Sequence, residues 1–112
     1  LYPLRQNWAE ADQSGNYYYH ELAWRFVEEA GPEFVLVESE PYYDDLEAIL
    51  YVAWAEKGWY NTQTVTPGGI DPWLGVRPVY AWYGDADIHP RYIQEPAEGL
   101  PGMAIISGVR QE

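Results

Sequence analysis

The chain has 112 residues, and its eighteen Asp and Glu against six Lys and Arg give a formal net charge of −12. Such a charge argues against direct binding to DNA, RNA or anionic lipid, each of which demands a basic footprint, and favours encounter with a positively charged partner. Zero cysteines exclude disulfides, thiolate metal sites and cysteine nucleophiles, a composition that suits a reducing, cytoplasmic setting. The hydrophobic share of 47% speaks against disorder, and the absence of an 18-residue apolar run speaks against a membrane span. The length is that of one domain, 1–112. Its start, LYPLRQNWAEADQ, does not read as an intact signal peptide, although Leu1 is compatible with the removal of a leader or an initiator Met.

In chain order, Leu4, Trp8 and Ala11 suggest a short helix from about Arg5 to Asp12, closed by the turn signal Gln13–Asn16. Tyr17 to Ala30 reads as an amphipathic helix with one stripe of Tyr19, Leu22, Ala23, Phe26, Val27 and Ala30. Asn16 suits its cap, Glu21 and Arg25 make a favourable i, i+4 pair, and Gly31-Pro32 stops it. The continuous apolar run Phe34-Val35-Leu36-Val37 predicts a strand, within Glu33 to Glu38, that is covered on both faces.

Pro41 to Trp59 carries the longest helical signal. Leu46, Ile49, Leu50, Ala53 and Trp54 fall on one face, Asp44 and Glu47 have capping-box spacing, Lys57 suits the last turn, and Gly58 suits a left-handed C′ position. Ala48, Tyr51, Val52 and Ala55 lie off the stripe, so this helix is expected to be central or to meet a partner. Strands are then expected over Tyr60 to Thr66, Val76 to Tyr83, Ile88 to Glu95 and Met103 to Val109. Pro78 suggests an edge or a bulge for the second of these, and Pro90 an irregular or edge position for the third. The order predicts an α+β fold: two main amphipathic helices on one face of a four- or five-stranded, mostly antiparallel sheet.

Three features are candidates for function. First, the stretch from Glu28 to Glu47 holds Glu28, Glu29, Glu33, Glu38, Glu40, Asp44, Asp45 and Glu47 with no Lys or Arg. Gathered on one surface, these carboxylates would steer a basic partner, with Tyr42, Tyr43 and Tyr51 supplying contact area. Second, Asp85, Asp87 and His89 would project to one side if Gly84 to Pro90 were extended, making a row suited to a divalent metal or, through His89, to a general base. Only one other histidine, His20, exists, and no HxH or HExxH pattern accompanies it. Third, aromatic runs such as Tyr17-Tyr18-Tyr19 and Tyr42-Tyr43 cannot all face inward, so some rings are expected at an interface or a ligand pocket.

Arg25 to Gly31 approaches the tail of the Nudix box. However, Phe26 stands where that motif has Glu, the Glu28-Glu29 pair sits one residue too near the Arg, and Ala11 stands where its leading Gly would fall, so nothing carries over. No phosphate-loop, nucleophile-elbow or dinucleotide pattern is present.

The resulting expectation is a non-enzymatic, cofactor-free binding protein that engages a basic protein. Its sharpest form is an inhibitor of a nucleic-acid-handling protein: a phage counter-defence protein, an immunity protein or a DNA mimic. The alternatives are a small α+β enzyme or ligand-binding domain with an aromatic pocket and a divalent metal at Asp85, Asp87 and His89, or a structural subunit of a larger assembly. Self-association into a homo-oligomer is compatible with the aromatic content.

Overall fold

The computed structural model describes residues 17–110, and their side chains from Glu21 onward. The expected helix from Arg5 to Asp12 and the Asn16 cap lie outside the described residues. Among the described residues the fold is α+β: two helices and a five-stranded mixed sheet. Among the described residues no helix is long and apolar enough to cross a membrane.

Helix α1 spans Tyr17–Ala30, as the stripe predicts. Ala23, Phe26 and Val27 are buried, while Glu21 and Arg25 stay exposed and form no ion pair with each other. Strand β1, Val35–Val37, comes next and is buried at every position. A 3-10 turn, Glu40–Tyr42, then leads into helix α2, Tyr43–Tyr51. The start differs from the capping-box expectation: Tyr42 takes the N-cap position without a side-chain cap bond, and Asp44 lies inside the first turn. The 3-10 turn starts the helical path at Glu40, and Pro41 fits its first turn, because its fixed φ suits that position and its missing N–H is not needed there.

Past Tyr51 the helix changes pitch. Val52–Glu56 is a π-helical turn, and the Lys57 N–H bonds back to the Val52 carbonyl at 3.0 Å. One extra residue per turn rotates the later side chains around the axis. Trp54 therefore leaves the predicted apolar stripe and is 41% exposed, its indole N–H donating to Thr62 Oγ1 at 2.6 Å. Val52 and Ala53 are buried instead. Gly58 takes φ +71°, the left-handed stop expected of it.

The remaining strands are β2 (Gln63–Val65), β3 (Val79–Trp82), β4 (Tyr92–Pro96) and β5 (Met103–Val109), in the spatial order β2-β1-β3-β5-β4. β1 pairs in parallel with β2 and β3, whereas β5 pairs antiparallel with β3 and β4, so the sheet is mixed rather than mostly antiparallel. Pro78 does not push β3 to an edge. It sits one residue before the strand, where only its carbonyl is used, accepting the Val35 N–H at 2.9 Å, and all four residues of β3 are buried. β4 does lie at the edge, where Pro96 can lack an N–H without breaking the ladder.

Alternation along the strands sorts the core into two clusters. Leu36, Tyr80, Trp82 and Met103 pack with Phe26, Val27, Leu46, Ile49 and Val52 from the helices. Val35, Val37, Val79 and Ala81 pack with Ile70 and Ile88, and with the half-buried Trp73 and Leu74. The second cover comes from the crossover between β2 and β3, a run of 3-10 turns at Pro67–Gly69 and Asp71–Trp73. That crossover is tied to β4 at Asp71, whose carboxylate accepts from the Tyr92 hydroxyl at 2.5 Å and from the Arg91 guanidinium at 3.2 Å.

Candidate functional site

The topology decides where the acidic residues go. α1 and α2 both run opposite to β1, so the chain reaches one end of the layer at the close of α1 and the other at the start of α2. The Lys57–Glu28 ion pair, 3.1 Å, ties the far ends of the two helical segments together. Glu29 is near the buried Tyr80, whose hydroxyl is pushed up by burial and by that carboxylate. Glu33 lies exposed in the turn leading to β1. These three form one group. Glu38, Glu40, Asp44, Asp45 and Glu47, with Tyr42 and Tyr43, form the other, at the start of α2. The helical path from Tyr43 to Lys57 separates the two by about 20 Å at 1.5 Å per residue. The eight carboxylates therefore do not make one plate. Tyr51 belongs to neither group: it is 9% exposed within the core, and its hydroxyl donates to Glu56 Oε1 at 3.2 Å, the i, i+5 spacing of the π turn.

At the start of α2 there is also a groove of about 380 Å³. Its walls include Leu22, Phe26 and Ile49 from the helices and Trp82 and Met103 from the sheet, and Arg25, Tyr42, Asp44 and Asp45 line it as well. Tyr42 stacks on Trp82 with ring centroids 5.1 Å apart and planes 5° from parallel. Trp82 is buried, whereas Tyr42 remains 39% and Tyr43 57% exposed. The stack fixes a side chain that would otherwise be free on a surface turn. Among the described residues, no Lys or Arg is ion-paired with Glu38, Glu40, Asp44, Asp45 or Glu47. Burial, and then the neighbouring Asp44 carboxylate, push the Asp45 carboxyl above its ordinary value.

That shift has a sign that can be tested. A carboxyl whose value is raised by folding holds its proton more tightly in the folded chain than in the unfolded one. Its charged form therefore opposes folding at neutral pH, and this cost disappears once the pH falls below the unfolded value, near 3.8. Asp45→Asn is expected to raise thermal stability at pH 7 by less than about 1 kcal/mol, since solvent screens a half-buried charge, and to leave it unchanged at pH 3. Melting curves at the two pH values check this. A variant less stable than the parent at pH 7 would mean that Asp45 has a stabilising partner.

The segment proposed for a metal is arranged differently. Gly84 to Pro90 is a succession of turns, so the alternation that would align Asp85, Asp87 and His89 does not exist. Asp85 Oδ1 accepts the Asp87 backbone N–H at 3.0 Å, and His89 Nδ1 accepts the Arg91 backbone N–H at 3.0 Å. Both side chains act as local turn caps. Among the described residues no three His, Asp or Glu side chains are placed to hold a metal ion.

The position of the groove and the Tyr42–Trp82 stack are not marked in the sequence. Forty residues separate the two rings, and nothing local to either marks the contact. No protein-family model, curated protein or solved structure matches the chain.

Proposed function

We propose that this protein is a non-enzymatic binding module that engages a positively charged protein surface through the face at the start of α2: Glu40, Tyr42, Tyr43, Asp44, Asp45 and Glu47. The observation that carries this reading is the combination of exposed rings with carboxylates that, among the described residues, form no ion pair with Lys or Arg. Exposed Tyr side chains anchor interfaces at low entropic cost, and unpaired surface carboxylates steer a basic partner and set its orientation. Glu28, Glu29 and Glu33 are not part of this face and add only to the long-range field. Proteins that handle nucleic acids present suitable basic surfaces, and an inhibitor that covers one is the sharpest form of the proposal.

The test uses an Arg- and Lys-rich peptide as the partner surface. Affinity is expected to fall several-fold from low to physiological salt, mainly through the association rate. The double reversal Glu40→Lys/Glu47→Lys is expected to abolish binding, and Glu29→Lys/Glu33→Lys, with the same change in net charge, to weaken it slightly. Equal loss in the two variants would reduce the effect to net charge alone and sink the assignment to this face.

A further inference from the structure

The groove lies at a particular place in the sheet. β1, β2 and β3 are parallel, and their carboxyl ends share one side. The chain leaves β1 toward β2, through α2, and leaves β3 toward β4 and β5 on the other side. Between β1 and β3 the direction of the connections therefore reverses, at the carboxyl ends where ligands usually sit in sheets with parallel strands, and the groove lies beside that point, over Trp82 of β3 and Met103 of β5. Trp82 ends β3, Tyr42 lies just after β1, and α2 begins beside them. The helix start in such a crevice ordinarily receives an anion, because its free N–H groups carry partial positive charge. Here the first turn carries Asp44 and Asp45, and both line the groove. Two carboxylates against Arg25 alone reverse the preference.

We infer that the groove receives the guanidinium of a single arginine from the bound protein. This rests on the binding face proposed above and names its anchor. A volume of about 380 Å³ is near the lower limit for ligand pockets, suited to one side chain rather than to an extended segment. A guanidinium is planar, is less strongly hydrated than an ammonium, presents five donors to carboxylates and stacks on aromatic rings. Tyr42, held by Trp82, offers the ring, and Asp44 and Asp45 the acceptors. Arg25 is a cation on the same lining and competes with the guest.

The test ligand is N-acetyl-arginine amide, followed through the Trp82 indole and the Asp44 and Asp45 amide resonances, with the lysine analogue and inorganic phosphate run alongside. Saturable shifts are expected with the arginine compound, weaker ones with lysine and none with phosphate. Asp45→Asn should weaken the arginine compound at least tenfold, and Asp45→Asn is the variant expected to be more stable, so unfolding does not explain the loss. Arg25→Gln should strengthen it. Phosphate binding that Arg25→Gln abolishes would overturn the inference and make the groove an anion site. Arginine shifts that Asp44→Asn and Asp45→Asn leave unchanged would also overturn it. If the basic peptide binds at Glu40 and Glu47 while the arginine compound leaves the groove silent, the anchor is wrong and the binding face stands. If the arginine compound seats while Glu40→Lys/Glu47→Lys leaves peptide binding intact, the face is wrong and the groove stands.

Discussion

Phe26→Ala is expected to remove about 3–5 kcal/mol of stability, the range for deleting a buried aromatic ring. Phe26 is 2% exposed at the point where α1 meets the sheet. Its ring meets Phe34 edge-on at 5.0 Å and Tyr80 at 4.9 Å, so the loss includes two aromatic contacts besides the buried area. Neither neighbour can move in to fill the space, since Phe34 is anchored beside β1 and Tyr80 within β3. Small domains have about 5–15 kcal/mol in all, so the variant should melt far below the parent or be unfolded at 37 °C. Urea unfolding followed by tyrosine and tryptophan fluorescence measures it. A loss under 1 kcal/mol would mean that α1 is not packed as described. The groove shares Phe26 as a wall, so the same variant should also lose any ligand seated there.

Ile70→Ala is expected to cost about 2–4 kcal/mol, as for a fully buried aliphatic side chain in a core. The interest lies in where Ile70 sits. The crossover from β2 to β3 is rich in Gly and Pro and resembles a surface loop in the sequence, yet Ile70 is fully buried among Val35, Val37, Val79 and Ala81. Without this cover, the second side of β1 and β3 would present apolar side chains to water. Val76→Ala, in the same crossover but 68% exposed, should change stability by less than about 0.5 kcal/mol. Denaturant midpoints for the two variants decide the matter, and similar small effects in both would show that the crossover is a peripheral loop.

Much of the secondary structure was legible locally. α1 has the bounds of its apolar stripe and β5 those of its β-forming run, Met103–Val109. Gly58 stops the second helical segment in the left-handed conformation that Lys57-Gly58 suggested. Each departure has its own local cause. Trp54 leaves the predicted stripe because a π turn, invisible to a 3.6-residue period, inserts one residue. Asp44 misses the N-cap because the 3-10 turn Glu40–Tyr42 starts the helical path earlier. Asp85, Asp87 and His89 do not align because that segment turns instead of running extended.

The charge, the α+β class and the apolar faces that need burial are all local properties, since each arises from composition or from spacing within a few residues. Long-range packing sets which carboxylates share an end, makes β3 interior, turns the β2–β3 crossover into a core layer and brings Tyr42 onto Trp82. Those outcomes depend on strand pairings between residues far apart in the chain, such as Leu36 with Tyr80 and Trp82 with Met103. Helices antiparallel to the strand between them must begin and end on opposite sides, and that single constraint divides the acidic stretch and places Asp44 and Asp45 at the groove.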